Sequence, residues 1–378
     1  MSLLSLPLDI KILLLEECPQ LRFILSDLRQ MLCNFIKPQE LEYPTNKNKH
    51  RGTTLINYNE LKLKFKNENW KCAATLEGHN GNITTVAFHP SKPFLATGSI
   101  DCKIKLWRID PDTTITTCVA TLEGHIDTIL AIAFHSSLPL LATGSNDQTV
   151  KIWNMNANLT EIICVGSLQC YNFGIHSVAF HKLHPIIAFG SDGYNMMLWQ
   201  LNMDGNATSR VAILEGHSNL IRTIAFHPFL PILITGSDDK TIKFWQLNAE
   251  LNSAQCFSTI EEQSEIASII FHSVLPIMAA YFQNKTVKIW KMNAAGNPTI
   301  FLTLPANNVN SITFHPKLPI ITTKDSENAV KFWEIDDNFM GINCIEILEV
   351  DEGISIAFHP SLLILAMSNM VKTLKIWR

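Results

Sequence analysis

Three sets of histidine, serine and aspartate recur along the sequence, and each set is followed by a tryptophan at a fixed spacing. The sets are His79, Ser99, Asp101 and Trp107; His125, Ser145, Asp147 and Trp153; and His217, Ser237, Asp239 and Trp245. These three residue types form the hydrolase triad, in which histidine takes the proton of an attacking serine hydroxyl. Three copies of one catalytic site in a single chain would be unusual. Buried polar groups must be hydrogen-bonded or cost about 1–3 kcal/mol, so a repeated structural network is the favoured interpretation.

The elements that position these sets are repeated seven times. Tryptophans lie at positions 107, 153, 199, 245, 290, 333 and 377, and only Trp70 lies outside the series. A Phe-His pair precedes each of the seven, with the phenylalanine always 19 positions before the tryptophan. The histidines of these pairs are His89, His135, His181, His227, His272, His315 and His359. One histidine per repeat predicts turn residues far apart in space, not a metal site, and zinc-ligand spacing is absent.

Within a unit the pattern predicts short β-strands. The first unit reads ITTVAFHPSKPFLATGSIDCKIKLWRID. Ile83–Phe88 is rich in β-forming residues and ends at a Pro-containing turn, 94–98 forms a second strand, and KIKLW alternates as a half-exposed third strand. CVATLEGH, at 118–125, provides a fourth strand. Four short antiparallel strands in roughly 45 residues are the size of one propeller blade.

The repeats resemble those of the WD-repeat family. The segments that carry the resemblance are LEGH…VAFHP…LATGSIDCKIKLW, LEGH…IAFHS…LATGSNDQTVKIW and LEGH…IAFHP…LITGSDDKTIKFW. The resemblance covers about residues 72–378 and implies a β-propeller, most often with seven blades. It also implies that the histidine, hydroxyl and aspartate of each set form a structural network with the indole N–H. In this chain the residue after each tryptophan is never aspartate, at a position that faces solvent in the family.

The two ends of the repeat region complement each other. CAATLEGH at 72–79 matches CVATLEGH at 118–125, so it is a fourth strand without the three that should precede it. LKIWR at the C-terminus is a third strand without a fourth after it. We therefore predict an all-β fold over 70–378: a seven-bladed WD-repeat β-propeller closed by pairing of the chain ends, which removes an open sheet edge. A small α-helical segment precedes it.

Four of the seven units lack the complete polar set. The position of His79 is occupied by Tyr171, Glu262, Pro305 and Glu349. The position of Asp101 is occupied by Gly193, Asn284, Glu327 and Val371. We expect these blades to be less rigid, and the seventh blade to depend most on the N-terminal strand.

The resemblance also implies a candidate partner-binding face, built from the loops that enter the first strands and the turns before the third strands. By position its residues are Asn82, Thr84, Ile100, Thr128, Asn146, His176, Asp192, Arg222, Asp238, Glu265, Gln283, Asn308, Asn310 and Glu352. The set is mostly polar and amide-rich. It holds four acidic residues and one arginine, which slightly favours a partner with basic character. For any single residue, an ordinary solvated rim is an equally good interpretation.

The first 70 residues differ from the repeats. Residues 1–40 show helical apolar spacing after Pro19, 41–69 read as a linker, and LKLKFK at 61–66 predicts a short strand or a lead-in. Residues 6–10, LPLDI, resemble the opening of an F-box, a helical module that docks on the Skp-type adaptor of cullin ubiquitin ligases. The match is short. The alternative is a pair of helices that packs on the propeller or on another copy of the chain.

Composition limits the partners and the compartment. The net charge is −4 and no long basic run appears, which disfavours nucleic acid as a partner. No stretch reaches the roughly 20 apolar residues of a membrane-spanning helix, so we expect no membrane partner and no export. Nine cysteines, an odd number without a CxxC pair, favour a reducing cytoplasmic or nuclear compartment in which most thiols act as small apolar residues.

The favoured function is a non-catalytic scaffold that binds other proteins on the propeller faces, with no catalytic residue, cofactor or metal. The alternative is an F-box-type substrate receptor that reaches a Skp-type adaptor through residues 1–40. A propeller enzyme, with acid, base or metal residues at the channel mouth, is a remote alternative. A nucleic-acid or membrane-surface binder is disfavoured by the charge balance.

Overall fold

The computed structural model contains seven four-stranded antiparallel sheets arranged as the blades of a propeller. It describes residues 58–67, 70–110, 116–156, 161–170, 174–190, 194–202, 207–293, 295–304, 308–336 and 341–378. The chain divides into two compact units, Met1–Asn57 and Tyr58–Arg378, and every described residue belongs to the second. The predicted helical segment 1–40 and its F-box-like motif lie outside the described residues.

A short helix and one strand precede the first complete blade. These are α1 (Tyr58–Asn67) and β1 (Cys72–Leu76). Blade one contains β2 (Ile83–Phe88), β3 (Phe94–Ser99), β4 (Ile104–Ile109) and β5 (Thr116–Leu122). Blade two contains β6 (Ile129–Phe134), β7 (Leu140–Ser145), β8 (Thr149–Met155) and β9 (Ile162–Gln169). Blade three contains β10 (Val178–Phe180), β11 (Ile186–Gly190), β12 (Met196–Leu201) and β13 (Ala207–Leu214).

The remaining blades repeat this order. Blade four contains β14 (Ile221–Phe226), β15 (Ile232–Ser237), β16 (Thr241–Leu247) and β17 (Ala254–Glu261). Blade five contains β18 (Ile266–Phe271), β19 (Ile277–Phe282), β20 (Val287–Met292) and β21 (Pro298–Thr303). Blade six contains β22 (Val309–Phe314), β23 (Ile320–Asp325), β24 (Ala329–Ile335) and β25 (Ile342–Glu349). Blade seven contains β26 (Ile356–Phe358), β27 (Leu365–Ser368) and β28 (Leu374–Trp377).

Blade seven takes its fourth strand from the beginning of the propeller unit. Strand β1 pairs antiparallel with β28, and Cys72 lies opposite Trp377 while Leu76 lies opposite Leu374. The pairing continues past the strand, because Lys71 and Arg378 exchange backbone hydrogen bonds of 2.9 and 3.0 Å. The predicted all-β, seven-bladed propeller, closed by pairing of the chain ends, is confirmed.

Apolar side chains are buried mainly between neighbouring blades. All six residues of β3 are buried, as are those of β7 and β15, because both faces of a second strand are covered by other blades. The outer strand β5 is mostly exposed. Seven apolar clusters each join two adjacent blades, one at every blade interface. The core is therefore a ring of interfaces, as expected for repeats that bury their faces on their neighbours.

The blade interfaces match small residues with large ones. A Cβ added to Gly98 would lie 2.5 Å from Ile129 of the next blade, so the glycine makes room for that isoleucine. Gly236 is equally close to Ile266. Blade six instead carries the fully buried Lys324 at the glycine position, and blade seven carries Gly353 where the other blades have isoleucine or valine. A Cβ added to Gly353 would lie 2.3 Å from the carbonyl oxygen of Ser368 in the same blade, so glycine is required there.

Helix α1 differs from the sequence prediction, which read 61–66 as a strand or lead-in within a linker. Leu61 and Phe65 are four residues apart and face the propeller, whereas Leu63 is 61% exposed. Phe65 is in edge-to-face contact with Trp70 and Phe332, with ring centroids 5.5 Å apart in both pairs. The segment thus has a helical period. Among the described residues no helix is long and apolar enough to cross a bilayer.

The basic side of α1 is tied to blade six. Lys62 and Lys66, also four residues apart, place Nζ 2.9 and 2.8 Å from the carboxylate oxygens of Glu334. Burial alone would raise the pKa of Glu334, but the hydrogen bonds from Lys66 and Lys62 outweigh it and lower the pKa. Helix α1 is thus part of the folded propeller unit.

The described cysteines also differ from the expectation that most act as buried apolar residues. Of the seven described cysteines, only Cys170 is buried. Five others lie on outer strands opposite a tryptophan of the third strand, at Cys72, Cys118, Cys164, Cys256 and Cys344. The ladder shifts register at each of these sites, and the thiol of Cys118 lies 3.6 Å from the carbonyl oxygen of Ala120. Thiols of this kind supply a weak donor to the carbonyl beside a β-bulge.

Candidate functional site: the loop face

The loops that enter the first strands and the turns before the third strands lie at the same end of the blades, here called the loop face. Backbone hydrogen bonds join these two segments in each of the six blades where both are described. The amide of Ile100 donates to the carbonyl of Asn82 at 3.0 Å, and that of Asn146 donates to Thr128 at 2.9 Å. Equivalent bonds join Asp238 to Leu220, Gln283 to Glu265, Ser326 to Asn308, and Met370 to Glu352. The loop face is therefore held in place by its own backbone.

The polar set of blade one forms a hydrogen-bonded chain beneath this face. His79 Nδ1 lies 2.9 Å from Asp101 Oδ2, and His79 Nε2 lies 2.8 Å from Thr97 Oγ1. The indole Nε1 of Trp107 donates to the same hydroxyl at 2.9 Å. Asp101 can only accept, so the neutral imidazole carries its proton on Nδ1 and accepts the threonine proton at Nε2. Every polar group in the chain then has a partner.

The hydroxyl in this chain differs from the one that the sequence suggested. Thr97, not Ser99, lies between His79 and Trp107. Leu95 pairs with Trp107 across the ladder, so Thr97 is its diagonal neighbour and lies within reach of the indole. Ser99 accepts a hydrogen bond from the amide of Asp101 at 3.1 Å and thereby shapes the turn. Residues 97 and 99 share one face of the strand, so alternation could not separate their roles.

Blades two and four repeat the arrangement. His125 lies 2.7 Å from Asp147 and 2.8 Å from Thr143, and Trp153 donates to Thr143 at 2.9 Å. In blade four the residues are His217, Asp239, Thr235 and Trp245. Ser145 and Ser237 again accept from the amide of the following aspartate. Burial lowers the pKa of all three histidines, although the nearby aspartates act in the opposite direction. They are therefore neutral at pH 7.

Blades five, six and seven place a lysine ion pair in this region. In blade five, Glu262 occupies the repeat position of His79, and its Oε2 lies 2.5 Å from Nζ of Lys288. Lys331 lies 2.9 Å from Asp325, and Lys375 lies 2.5 Å from Asp351. In blade five, Asn284 occupies the position of the aspartate, and its backbone N–H donates to Ser264 Oγ at 3.0 Å. Glu327, Glu349 and Val371 occupy the other predicted replacement positions, whereas Tyr171, Gly193 and Pro305 lie outside the described residues.

The seven Phe-His histidines form a belt at the opposite face. Each imidazole contacts the phenylalanine of the next blade, with ring centroids from 5.0 Å for His227 and Phe271 to 5.4 Å for His272 and Phe314. The last contact, His359 with Phe88 at 5.1 Å, closes the belt. In His89, Nδ1 accepts the amides of Ser91 and Lys92, both at 3.1 Å. Among the described residues, no group of three or more histidine, cysteine, aspartate or glutamate side chains could hold a metal ion.

Burial keeps this belt neutral. It lowers the pKa of five of its histidines to about 4, and burial followed by the charges of His272 and Lys317 lowers the pKa of His315 to about 3. The five are His89, His181, His227, His272 and His359. An imidazolium would lose the acceptor at Nδ1 as well as the favourable burial. The belt is a structural element of the turns.

Thirteen of the fourteen predicted loop-face residues are described, and none of them is fully buried. Asp192 lies outside the described residues. The exposed members are Ile100, Asn146, Gln283, Asn308 and Glu352. The half-buried members are Asn82, Thr84, Thr128, His176, Arg222, Asp238, Glu265 and Asn310. The structure thus brings these residues to one end of the ring, where a partner could reach them.

The acidic character expected of this set is partly neutralised within it. Arg222 Nε and Nη2 donate to the two oxygens of Asp238 at 2.7 and 2.8 Å. Hydrogen bonding to Asp238 raises the pKa of Arg222, so the guanidinium stays charged. His176 lies nearby, and its pKa is lowered by burial and then by the charge of Arg222. Between blades five and six, Lys285 donates to Asn310 at 2.9 Å. This side of the loop face is polar and internally paired.

Apolar loop-face residues were missed by the sequence reasoning. Ile126 is 86% exposed and Val371 is 68% exposed, and Ile354 and Met370 are also exposed. Position by position comparison of the repeats could have found Met370 and Val371, because the other described blades, apart from Ile100 in blade one, carry polar residues at these two positions. In the sequence read without this comparison, these few exposed aliphatic residues cannot be distinguished from the many buried ones near them.

Comparison with known proteins agrees with the geometry. The family model described as WD domain, G-beta repeat (WD40) matches residues 70–108, 116–154 and 208–246. These are the repeats whose His–Thr–Trp–Asp chains are complete. The chain is a seven-bladed propeller that carries WD40 repeats. Propellers with such repeats generally bind other proteins, and the family is typically non-catalytic.

One curated relative matches a short part of this chain. Protein HIRA of Dictyostelium discoideum is 45% identical over 53 residues, which are 14% of this chain. The matched segment spans 5% of the length of that relative. The similarity supports the repeat assignment and carries no statement about the rest of either protein.

Proposed function

We propose that this WD40 propeller is a non-catalytic scaffold that binds other proteins on its loop face. The observation that carries the proposal is the set of backbone hydrogen bonds that fix this face in six blades, from Ile100–Asn82 to Met370–Glu352. A preformed surface loses little conformational entropy when a partner binds. The exposed members of the face then supply contacts without having to be ordered first.

The polar chains favour this function over a hydrolytic one. The candidate nucleophile would be Thr97, whose side chain is fully buried and whose hydroxyl already receives the indole N–H of Trp107. A substrate carbonyl could not reach a hydroxyl in that position, since an attacking atom must approach to roughly 3 Å. The repeated sets therefore act as supports of the loop face.

The test is affinity capture with proteins that differ only at one face. Asn146, Gln283 and Asn308 are exposed on the loop face, and all three would be changed to arginine. Leu183, 60% exposed in the turn after a Phe-His pair, would be changed to arginine as the opposite-face control. We expect partners captured by the wild-type chain and by the control, but lost from the triple variant. Equal capture by both variants would argue against binding at the part of the loop face that Asn146, Gln283 and Asn308 form.

The substrate-receptor alternative rests on LPLDI at 6–10. We propose, as this second candidate, that residues 1–40 dock on a Skp-type adaptor and that the propeller selects proteins for ubiquitylation. The folded propeller unit begins at Tyr58, so a chain starting there is the matched control. A purified adaptor that co-elutes with the full chain but not with the shorter one would support this candidate. No co-elution with either chain would exclude it.

For the compartment, we propose a reducing environment, cytoplasmic or nuclear. Six of the described cysteines are free thiols, and four of these are exposed on outer strands. Exposed thiols of this kind are compatible with a compartment that keeps them reduced. Labelling of intact cells with a thiol-reactive maleimide, followed by denaturation, should show these cysteines reduced; oxidised thiols would contradict the proposal.

A further inference from the structure

Large aliphatic side chains are exposed on one part of the loop face. Among the described residues of that face, the ones that stand out by exposure are Ile100, Ile126, Ile354, Met370 and Val371, here called the apolar arc. Single exposed aliphatic residues are normal on protein surfaces. These five belong to three consecutive blades: Ile354, Met370 and Val371 to blade seven, Ile100 to blade one, and Ile126 to the loop entering blade two.

Most of the repeat positions that carry the arc are mainly polar in the other described blades, although Ile354 shares its position with Leu130 and Ala267. Ile100 and Met370 share one repeat position, which is occupied elsewhere by Asn146, Asp238, Gln283 and Ser326. The repeat position of Val371 is occupied in the other described blades by Asp101, Asp147, Asp239, Asn284 and Glu327. The repeat position of Ile126 is occupied in other described blades by Asn80, Ser218 and Gln263, and in blade seven by Val350, which is buried. Nothing in the blade requires an apolar residue at these sites, so the arc is not explained by the fold.

Hydrogen bonds join the segments that carry the arc. The amide of Met370 donates to the carbonyl of Glu352, two residues before Ile354, at 2.9 Å. Between blades seven and one, the amide of Val86 donates to Ser355 Oγ at 3.3 Å. Between blades one and two, Thr84 Oγ1 donates to the carbonyl of Ile129. The arc thus lies on a continuous and internally bonded part of the loop face.

Both carboxylates and ammonium groups lie around the arc. The acidic residues are Asp101, Glu123, Asp127, Asp351 and Glu352, and the basic residues are Lys103, Lys105, Lys372, Lys375 and the buried Lys324, which is close enough for its charge to act on Asp351 and Glu352. Two of the lysines are engaged with neighbours, Lys103 with Glu123 at 2.5 Å and Lys375 with Asp351 at 2.5 Å. Glu352 is exposed next to Ile354, and the side chain of Asp351 is 58% exposed. The end of the arc on blade seven therefore presents negative charge to a partner.

We propose that the apolar arc binds a short extended segment of another protein, with aliphatic side chains on Ile100, Ile126 and Val371 and a lysine or arginine against Glu352. This inference deepens the proposed scaffold function and rests on it. Aliphatic contact at the centre with charged residues at the rim is the usual composition of a peptide-binding surface. The opposite side of the loop face, with its internal Arg222–Asp238 pair, contributes less because its charges are already matched.

The charge distribution favours such a segment over two other occupants. A second copy packed symmetrically on the arc would bring Asp351 and Glu352 against the same carboxylates or close to them. An anionic lipid surface would be repelled by those carboxylates. A basic, aliphatic segment satisfies both the apolar contact and the charge.

The test uses a phage-displayed library of short random peptides selected on the full chain. The arc variant combines Ile100→Asn, Ile126→Ser, Met370→Gln and Val371→Asn, which are residues that other blades carry at the same positions. The matched control is Leu183→Ser, which removes an exposed aliphatic residue from the opposite face. We expect the selected peptides to combine aliphatic residues with lysine or arginine. Synthetic versions should bind the control like the wild type, and the arc variant at least about tenfold more weakly.

Several outcomes would overturn the inference. Selected peptides that bind the arc variant as well as the wild type would place the site elsewhere while leaving the scaffold function intact. Failure to select any peptide would count against a peptide-binding arc, and capture of whole proteins lost from the Asn146, Gln283 and Asn308 triple variant would then still support the scaffold. A dimer of the wild type that the arc variant loses, measured by light scattering, would assign the arc to self-association.

Discussion

At the scale of single residues, Thr97 is the hydroxyl on which the loop face of blade one depends. It lies between His79 Nε2 at 2.8 Å and Trp107 Nε1 at 2.9 Å, and its side chain is fully buried. Thr97→Val keeps the shape but leaves Nε2 of His79 and Nε1 of Trp107 without a partner. We expect the free energy of unfolding to fall by about 1–3 kcal/mol for each group left unpaired, measured by urea denaturation.

The control for this substitution is Thr121→Val on the outer strand. Thr121 is exposed and accepts only a bond from Lys105 Nζ at 2.8 Å. Surface bonds of this kind contribute little, so the free energy of unfolding should change by less than about 0.5 kcal/mol. Equal effects of the two substitutions would mean that the Thr97 chain does not stabilise the blade.

The histidine belt makes stability depend on pH. The pKa of His272 is about 4 in the folded state because the ring is buried, against about 6.5 for a histidine in the unfolded chain. The unfolded chain therefore binds more protons between these values. The stabilisation is complete above pH 6.5 and is lost as the pH falls from 6.5 towards 4, at up to about 1.4 kcal/mol per pH unit for each histidine.

Urea denaturation at a series of pH values between 7.5 and 4.5 measures this loss. His272→Asn is the informative variant, because an asparagine oxygen can accept the amides of Val274 and Leu275 that His272 Nδ1 now accepts, but it does not titrate. A plot of the free energy of unfolding against pH should then be less steep by about 1.4 kcal/mol per pH unit, which corresponds to one proton fewer taken up on unfolding. A free energy of unfolding that stays constant between pH 6.5 and 5 would contradict the assignment of neutral imidazoles.

At the scale of elements, helix α1 extends the closure of the ring beyond strand β1. Phe65 is 2% exposed and packs on Trp70, Phe332 and His315 at the interface of blades six and seven. Phe65→Ala should cost about 3–5 kcal/mol, because it leaves a cavity among aromatic rings. Leu63→Ala on the exposed side of the same helix is the control and should be near neutral. Thermal unfolding of both variants measures the difference, and equal melting temperatures would mean that the packing of Phe65 does not stabilise the propeller.

The sequence predicted the elements better than it predicted their contacts. The Phe-to-Trp register and the alternation in segments such as KIKLW were sufficient for seven blades, because a repeat averages away local ambiguity. Leu61, Leu63 and Phe65 fit a strand by alternation, and only the position of blade six decides that Leu61 and Phe65 form the buried side of a helix. Likewise, the sequence does not show which of the two hydroxyls, Thr97 or Ser99, contacts Trp107, because both lie on the same face of the strand. The pairing of the strands decides this, since it places Trp107 beside Thr97. The apolar arc was hidden because exposure is not visible in composition.

At the scale of the whole molecule, the propeller is a ring whose last blade is completed from both ends of the unit. Each blade packs only on its two neighbours. Loss of packing at one interface therefore breaks the closed ring at that point. Strand β1 supplies the outer edge of blade seven, and Trp70 stacks on Phe332 of blade six with ring centroids 5.2 Å apart. The segment from Tyr58 to Leu76 therefore closes two interfaces of the core.

Shortening the chain from its N-terminus should reveal these contributions in order. A chain that starts at Tyr58 should melt at the temperature of the full chain, because α1 and β1 are both retained. A chain that starts at Trp70 loses Phe65 and the Lys62 and Lys66 ion pairs with Glu334, and it should melt several degrees lower. A chain that starts at Glu77 exposes the edge of β28 and should lose cooperative unfolding or aggregate.

A synthetic peptide of residues 58–76 provides the decisive control for the shortest chain. If the loss comes from the missing strand and helix, the added peptide should pair with β28, place Phe65 and Trp70 back on Phe332, and raise the melting temperature with peptide concentration. A scrambled peptide should have no effect. If the chain starting at Glu77 melts like the full chain, or if the peptide fails to raise its melting temperature, the ring does not depend on this closure. The binding surface on blades seven, one and two would then be independent of the N-terminal segment as well.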